Sequence, residues 1–303
     1  MRGCGIRSAG GPVEVLDLPE PVGPGPGKLL LSVQAAGIGP WDALVPTGDW
    51  DVNLRPPAAL GVEGTGIVIE VGEAVSGIAV GDAVLVHEAP FPGGSGFWAQ
   101  QVLVDAGHIA ARPAGLSPVI AGGLPVAGLT ALQVLQQLKV DANTRLLITG
   151  ASGVTAAIAV QLAAQIGATV VATGAARHAE RLSRLGAAEV IDSHAADWAE
   201  SVDGPFDAAL IAVYGTAAAA VTLVRDGGRL CSITSDAPPS VRDIESTDLY
   251  IRPDAAQLAY LATLCADRRL ELDASPVGLE DGPSTAERVA AGHSGGTKYV
   301  LTF

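Results

Sequence analysis

Residues 145–173 carry the pattern that most limits how this chain can fold. Arg145–Thr149 is a short apolar run typical of a buried strand, and residues 156–166 form an alanine-rich stretch typical of a helix that ends at Gly167. A second apolar run, residues 168–173, follows directly. Strand, helix and strand in this order predict a βαβ unit, in which the two strands are parallel neighbours in one sheet.

The same alternation continues beyond residue 173. Helices are predicted over residues 179–185 and 217–224, and apolar strands over residues 189–191, 207–213 and 228–233. Strands and helices that alternate in this way form a doubly wound parallel sheet with helices on both faces. We therefore expect an α/β domain over residues 116–245.

Residues 1–115 differ in texture from this region. Glycine and proline separate short β-branched runs there, at residues 29–33, 66–71 and 84–86, which predicts a compact and mostly β domain. Residues 246–303 supply one amphipathic helix over 254–267 and a last strand over 298–303, too little for a core of their own. We expect this segment to complete the first domain, so that the α/β domain is an insertion.

Composition narrows the possible partners. With 303 residues, 49% of them hydrophobic and 17% charged, two well-packed domains are expected. The net charge of −14 argues against nucleic acid or an anionic membrane as a partner. Cys4, Cys231 and Cys265 lie far apart, which argues against a disulfide framework or a cysteine zinc site. Because the chain has neither an apolar leader nor a run of about 18 apolar residues, we expect a soluble cytoplasmic protein.

The turn after the strand 145–149 predicts a dinucleotide site. Glycine at positions 150 and 153 allows a tight turn that brings backbone N–H groups close to a pyrophosphate at the helix N-terminus. The residues expected at the phosphates are Gly150, Ser152, Gly153 and Val154. An ordinary βα turn that needs glycine for its geometry alone is the alternative, but the flanking strand and helix favour cofactor binding.

The end of the second strand favours NADPH over NADH. An NAD site usually has an acidic side chain there to hold the ribose hydroxyl, whereas no acid follows this strand before Glu180. Arg177 can form a charge-assisted fork with a 2′-phosphate, next to Thr173 and Gly174. The alternative role for Arg177 is that of a solvated residue that opens a helix.

Further segments carry patterns known from one enzyme superfamily. They are GVEGTGIV at residues 61–68, VGDAV at 80–84, GFWAQ at 96–100, LGAAEVID at 185–192 and RPD at 252–254. These segments resemble the medium-chain dehydrogenase/reductase superfamily, and within it the zinc-free quinone oxidoreductases. The resemblance spans nearly the whole chain.

This resemblance implies a fold and several contacts. The expected fold is a Rossmann-type doubly wound parallel sheet, residues 116–245, inserted in a GroES-like β-rich substrate domain formed by residues 1–115 and 246–303. Thr130, Val213 and Thr234 are further expected cofactor contacts. The resemblance also implies a homodimer that pairs through a strand of the nucleotide domain, and it matches Lys298 to a position associated with domain closure.

The resemblance makes one absence informative. Zinc alcohol dehydrogenases of this superfamily bind a catalytic metal through the histidine of a Gly-His-Glu segment and two cysteines. Here Val62 stands in place of that histidine, and none of the three cysteines matches a ligand position. Zinc needs three or four converging N, S or O ligands, so we expect no metal and no metal-polarised alcohol oxidation.

We therefore expect hydride transfer from NADPH to a small electrophile, either a quinone or an α,β-unsaturated carbonyl. Asp42 and Tyr250 are candidate proton donors, with turn stabilisation and packing as their alternative roles. The residues expected to contact a flat substrate are Trp41, Leu44, Trp50, Phe91 and Tyr250, where core packing is the alternative. Adjacent His87 and Glu88 point to opposite faces of a strand, so we discount a metal site there.

A second hypothesis keeps the cofactor fold without general quinone reductase activity. The chain would then be a biosynthetic tailoring enzyme or a nucleotide-binding protein. Gly39, Leu44 and Ala156 depart from the usual pattern of the reductases, and a fold alone does not determine a function. The sequence leaves both hypotheses open.

Overall fold

A computed structural model describes residues 1–195 and 197–303, which form two compact units. The first unit comprises Met1–Leu129 and Arg252–Phe303, and the second comprises Thr130–Ile251. The second unit is thus an insertion in the first, as the sequence predicts.

Sixteen strands and eight α-helices are assigned in the described residues. The strands are β1 (Arg2–Ile6), β2 (Glu14–Asp17), β3 (Lys28–Gly37), β4 (Ala58–Ala59), β5 (Glu63–Val71), β6 (Ala83–His87), β7 (Gln101–Asp105), β8 (Ile109–Ala111), β9 (Arg145–Thr149), β10 (Thr169–Gly174), β11 (Glu189–Asp192), β12 (Phe206–Ile211), β13 (Val224–Ser232), β14 (Glu245–Asp248), β15 (Ala274–Gly278) and β16 (Lys298–Thr302). The helices are α1 (Leu44–Thr47), α2 (Pro118–Gly123), α3 (Pro125–Gln137), α4 (Val154–Ile166), α5 (Ala179–Arg184), α6 (Ala217–Leu223), α7 (Ala255–Ala266) and α8 (Gly282–Ala290).

The second unit is built on a six-stranded parallel sheet in the order β11-β10-β9-β12-β13-β14. Strands β9, β10 and β12 are almost entirely buried, as expected where helices cover both faces of a sheet. Leu147, Phe206, Ala209 and Leu230 contribute to the core on one side. The strand order reverses between β9 and β12, which is where ligands of doubly wound sheets bind.

The first unit is β-rich, as predicted. A seven-stranded sheet in the order β15-β16-β3-β5-β6-β8, with β7 also paired to β3, lies beside a three-stranded antiparallel sheet, β2-β1-β4. The three predicted runs at residues 29–33, 66–71 and 84–86 fall in β3, β5 and β6. Together the two units confirm the predicted fold class.

The predicted helix at residues 156–166 is also confirmed, with a start two residues earlier, at Val154. It ends at Ile166 because Gly167 adopts a left-handed conformation, with φ +99°, which glycine tolerates without strain. The predicted strand at residues 207–213 is too long at its end. Strand β12 ends at Ile211, so Val213 lies in the following loop.

The unit boundaries differ from the predicted limits of residues 115/116 and 245/246. Helix α2 belongs to the first unit, where a Cβ on Gly122 would lie 2.8 Å from the backbone of Ala35. The N–H of Val126 also donates to the Glu63 carboxylate of that unit, at 2.7 Å. At the other limit, β14 pairs with β13 and is the sixth strand of the parallel sheet. The second unit therefore extends from residue 130 to residue 251.

In the part of the chain that the structure describes, none of the helices has the length and apolar character that a membrane crossing requires.

Candidate functional site

The turn between β9 and α4 brings two predicted cofactor residues together. Gly150 has φ +67°, and a Cβ at this position would lie 2.2 Å from Cγ2 of Val213. Gly150 follows β9 and Val213 follows β12, so the two residues meet at the point where the strand order reverses. A side chain at position 150 would be strained and would also collide, which explains the glycine.

Hydrogen bonds tie this turn to the end of β10. The N–H groups of Gly150 and Ala151 donate to Oγ1 and to the carbonyl oxygen of Thr173, at 3.2 and 2.8 Å. Ser152 Oγ accepts from the N–H of Ala175 at 3.2 Å. Thr173 is only 2% exposed. Its hydroxyl therefore supports the turn and does not reach the surface, which corrects the prediction that it contacts a 2′-phosphate.

Helix α4 begins directly after the turn. Gly153 is its N-cap, with extended backbone angles and no side chain that could accept hydrogen bonds from the first turn. The first N–H groups of a helix have no partner within the helix, and the helix dipole gives this end a partial positive charge. The turn from Gly150 to Val154 thus fits the pyrophosphate of a dinucleotide.

Basic side chains cluster beyond the end of β10. Arg177 is exposed in a short 3-10 helix, Ala176–His178, that leads into α5. Burial, together with the charges of Arg177 and Arg181, lowers the pKa of His178. Two arginines and a histidine therefore lie close together where a dinucleotide carries its adenosine ribose.

One carboxylate also lies at this edge of the sheet. Asp192 ends β11, beside Gly174 in the register of the two strands. The N–H of His194 donates to it at 3.1 Å, and this bond lowers the pKa of Asp192. The sequence pattern of a single strand end does not predict this neighbour.

On the other side of the reversal, Thr234 belongs to a hydrogen-bonded group after β13. Its hydroxyl and that of Ser232 both donate to Oδ1 of Asp236, at 2.8 and 2.6 Å. The N–H of Gly215, in the loop after β12, donates to Oδ2 at 2.7 Å. Sequence reasoning missed Asp236, although its position among Ser and Thr residues shortly after a strand end was a usable signal.

Two further predicted cofactor contacts differ in exposure. Thr130, at the first position of the second unit, is 7% exposed, whereas Val213 is 44% exposed. Gly174 is buried behind Ser152, because a Cβ on it would lie 2.7 Å from Ser152 Oγ. Gly174 and Thr130 thus have little surface of their own to offer a ligand.

The first unit contains a buried group of charged side chains. Lys298 and Glu63 are 3% and 0% exposed, and Lys298 Nζ donates to Glu63 Oε1 at 2.5 Å. The Lys298 ammonium also lies 4.6 Å from the centroid of the Trp41 ring. Asp42 is 2% exposed, and its Oδ2 accepts from the N–H of Gly39 at 2.8 Å. Among the described residues, Asp42 Oδ1 has no hydrogen-bond partner.

The bond from Gly39 gives Asp42 the turn-stabilising role that was the alternative to proton donation. Burial raises the pKa of Asp42 to about 7, an effect that the Gly39 N–H and the Lys298 charge reduce. The folded protein therefore holds a proton on Asp42 over a pH range in which the unfolded chain has lost it.

This shift predicts a pH-dependent stability. Because the pKa is raised in the folded state, the contribution of Asp42 is complete below the unfolded pKa and is lost as the pH rises through about 7. Between pH 5 and pH 8, the Asp42 carboxyl is expected to lower the free energy of unfolding of the wild type by an amount on the order of 2–4 kcal/mol. This decrease should be absent in Asp42→Asn. Urea unfolding at both pH values measures it, with Asp17→Asn on the exposed end of β2 as control. An unchanged pH slope in Asp42→Asn would contradict this account.

The predicted substrate residues separate in the structure. Leu44 is 45% exposed and accepts a backbone hydrogen bond from Trp50 at 3.1 Å. Trp50 lines a cavity of about 350 Å³ in the first unit, with Ile6, Val45, Val52 and Leu54.

Phe91 and Tyr250 are placed differently from what the sequence suggests. Phe91 is 1% exposed, so its ring belongs to the core, and the packing alternative applies to it. Tyr250 is 74% exposed and belongs to the second unit, not to the segment that completes the substrate domain.

The residues of this chain do not fit a catalytic zinc ion. Val62 is fully buried and offers no ligand atom. His87 Nδ1 lies 3.0 Å from the carbonyl oxygen of Val62, while Glu88 accepts from the N–H of Asp105 and pairs with His108. Over residues 1–195 and 197–303, no group of three His, Cys, Asp or Glu side chains is arranged to hold a metal ion.

Comparison with known protein families agrees with this architecture. Residues 25–114 match the family described as alcohol dehydrogenase GroES-like domain. Residues 185–301 match the family described as zinc-binding dehydrogenase.

Two curated relatives show moderate identity. A 2-methylene-furan-3-one reductase from Solanum lycopersicum is 30% identical over 229 residues, which are 73% of this chain and 58% of that protein. A mycocerosic acid synthase-like polyketide synthase from Mycobacterium tuberculosis is 32% identical over 251 residues, 79% of this chain but 11% of that protein. The chain thus spans only part of the length of these relatives.

A solved structure matches along the full chain. The quinone oxidoreductase from Coxiella burnetii has a TM-score of 0.89 and 28% identity, with 100% of this chain and 99% of that chain covered. The fold, the glycine turn and the two family matches lead to one assignment: the chain belongs to the medium-chain dehydrogenase/reductases, in their quinone oxidoreductase-like group.

Proposed function

We propose that this protein transfers hydride from NADPH to a small electron-poor acceptor, a quinone or an α,β-unsaturated carbonyl, without a metal ion. The observation that carries the proposal is the second unit's combination of a glycine turn at a helix N-terminus with a basic cluster beyond β10. The family is one of nicotinamide-dependent oxidoreductases, which supports the reaction class. The choice of NADPH and the acceptor class are our proposals.

The cofactor would be held by two features of the second unit. The first N–H groups of α4 and the helix dipole face the pyrophosphate, while the N–H groups of Gly150 and Ala151 bond to Thr173 and hold the turn in place. Arg177 and Arg181 offer guanidinium donors to a 2′-phosphate, which carries close to two negative charges. His178 adds a titratable donor between them.

NADH is the competing cofactor, and Asp192 is the residue that favours it. A carboxylate near the adenosine ribose can accept hydrogen bonds from both ribose hydroxyls. However, Asp192 belongs to the neighbouring strand and already accepts from His194. The charges of Arg177 and Arg181, which both act on His178, favour a phosphate because they attract its negative charge.

Val62, which stands where zinc dehydrogenases have a histidine ligand, supports the proposed acceptor class. When bound, the dinucleotide supplies the hydride. The protein orients the reactants and excludes water, which suffices for an acceptor that is already electron-poor. Val62 has no atom that could bind a Lewis-acidic metal ion, so the hydroxyl of a simple alcohol would not be activated. With Asp42 buried in its turn, we assign the proton that an enone requires to solvent or to a side chain other than Asp42.

Replacement of Arg177 tests the cofactor assignment. Arg177→Ala is expected to lower kcat/KM for NADPH about 10- to 100-fold, because it removes charge-assisted hydrogen bonds to the 2′-phosphate. The kcat/KM for NADH should change less than about two-fold, because NADH has no such group. Initial rates with a quinone acceptor measure both values.

Arg55→Ala, an exposed arginine of the first unit, is the matched control and should leave both values unchanged. If Arg177→Ala weakened both dinucleotides equally, the assignment of the 2′-phosphate to this residue would be wrong.

A second candidate function is biosynthetic tailoring of a bound intermediate. The 32% identity with the polyketide synthase from Mycobacterium tuberculosis favours it. Rates with free quinones and enones, compared with enoyl thioesters, separate the two functions. Turnover of thioesters alone would support tailoring, and tight NADPH binding without any turnover would support a nucleotide-binding role.

We further propose that the protein is a homodimer that contacts neither nucleic acid nor membranes. Strand β14 is the last strand of the parallel sheet, so its outer edge can pair with a second copy. The net charge of −14 disfavours polyanionic partners.

A further inference from the structure

Asp236 joins two loops of the second unit through one carboxylate. The first loop, residues 212–216, follows β12, and its Gly215 N–H donates to Oδ2 at 2.7 Å. The second loop follows β13, and the hydroxyls of Ser232, the last residue of β13, and of Thr234 in the loop donate to Oδ1 at 2.6 and 2.8 Å. Burial alone would raise the pKa of Asp236, but these donors hold it below its ordinary value. The group is therefore an ionised carboxylate with charge-assisted bonds to both loops.

The first of these loops also contacts the glycine turn between β9 and α4. Thr149 Oγ1, at the end of β9, accepts from the N–H of Ala212 at 3.2 Å and lies 3.0 Å from Thr216 Oγ1. Between these anchors, Val213 lies against Gly150. The loop is thus tied to β9 on one side by Thr149 and to the loop after β13 on the other side by Asp236.

The second loop contains a strained residue next to the carboxylate. Ser235 has φ +58°, a left-handed conformation that costs a non-glycine residue free energy. Such a conformation persists where surrounding contacts impose it, and it is concentrated at functional sites. Here Thr234 and Asp236, on either side of Ser235, are bonded to each other.

Both loops follow the strands over which we expect the nicotinamide half of a dinucleotide to lie. A dinucleotide crosses the sheet where the strand order reverses, with its pyrophosphate at the first βα turn. Arg177 beyond β10 takes the adenosine half to one side, so the nicotinamide half extends over the ends of β12 and β13. We propose that Asp236 is a positioning residue that pre-forms the two loops receiving the nicotinamide half. This inference rests on the proposed function.

Two ligands distinguish positioning from a general structural role. NADPH contains the nicotinamide riboside, whereas adenosine 2′,5′-bisphosphate contains only the adenosine half with its 2′-phosphate. Without the carboxylate, the loops are ordered in only a fraction of the free molecules. The apparent affinity then equals the intrinsic affinity multiplied by that fraction. If that fraction falls to about one-tenth, Asp236→Ala is expected to weaken the binding of NADPH about 10-fold. The affinity for the bisphosphate should change less than about two-fold.

Two further variants make the test specific. Asp236→Asn is expected to retain most of the affinity, because its oxygen can accept from Gly215 while its amide donates to a hydroxyl of Ser232 or Thr234. Asp226→Asn, a highly exposed carboxylate paired with Arg242 elsewhere in this unit, controls for the loss of one negative charge. If Asp236→Ala does not fold, Asp236→Ser is used, since its shorter side chain cannot bridge the two loops.

Calorimetric dissociation constants for both ligands, with a thermal unfolding curve for each variant, decide the outcome. A loss confined to NADPH and rescued by Asp236→Asn supports the inference. Unchanged NADPH affinity, or an equal loss for both ligands, overturns it. A wild-type protein that binds neither ligand would instead overturn the proposed function, so the two failures are distinguishable.

Discussion

Replacement of Lys298 by methionine is expected to lower the free energy of unfolding by about 3–5 kcal/mol, because it leaves the Glu63 carboxylate buried without its counter-charge. Glu63 is fully buried, and its carboxylate also accepts a hydrogen bond from the N–H of Val126. The ammonium over the Trp41 ring is lost as well, at a cost of about 2 kcal/mol for a desolvated pair. Urea unfolding of the purified variant measures the total.

Two controls separate this effect from loss of packing. Lys28→Met breaks the ion pair with Asp105, in which both side chains are about a third exposed, and should cost at most about 1 kcal/mol. The double variant Glu63→Gln/Lys298→Met removes both charges and should recover much of the loss. A Lys298→Met variant as stable as Lys28→Met would contradict the importance of the buried pair.

Replacement of Gly150 by alanine is expected to weaken NADPH binding about 100-fold, because a small displacement of the turn moves the N-terminus of α4, where we propose that the pyrophosphate binds. The left-handed backbone would cost about 1–2 kcal/mol in alanine. The new Cβ, 2.2 Å from Val213 Cγ2, would also push apart the ends of β9 and β12. Fluorescence titration with NADPH measures the affinity, and thermal unfolding reports the strain.

Gly153→Ala is the matched control within the same turn. Its backbone has φ −74°, and a Cβ there would lie 3.4 Å from the carbonyl oxygen of Gly150, an ordinary contact. We expect at most a few-fold loss of affinity in Gly153→Ala. The double variant Gly150→Ala/Val213→Ala should recover the part of the loss that comes from the collision. Wild-type affinity in Gly150→Ala would refute the turn as the pyrophosphate site.

The sequence predicts the second unit well wherever a local pattern determines an element. Arg145–Thr149 is a strand because five residues of mostly apolar character precede a glycine turn, and the observed bounds are the predicted ones. Helix α4 ends where glycine at position 167 permits a left-handed residue. These signals depend only on neighbouring residues, so they are visible without the fold.

Other features depend on partners that are distant in sequence. Strand β14 has the polar sequence ESTD, and it is a strand because β13 supplies its hydrogen bonds. Phe91 is an aromatic residue in a proline-rich loop, yet the fold buries it. The Glu63–Lys298 pair joins residues 235 positions apart, and the pairing of β5 and β16 with β3 brings them together. Local propensity carries no information about such contacts.

The return of the chain to its first unit has a consequence for the order of folding. Strand β16 connects β15 to β3 in the seven-stranded sheet, and Lys298 at its start neutralises Glu63. During synthesis from the N-terminus, the complete second unit leaves the ribosome before this strand does. Because all strands of the inserted unit precede β16 in the sequence, this unit can fold as soon as it has been synthesised. Until β16 is synthesised, the part of β3 that pairs with β16 has no partner there, and the Glu63 carboxylate lacks its counter-charge. In a nascent chain, the first unit is therefore the part that stays open longest to non-native pairing of a strand edge.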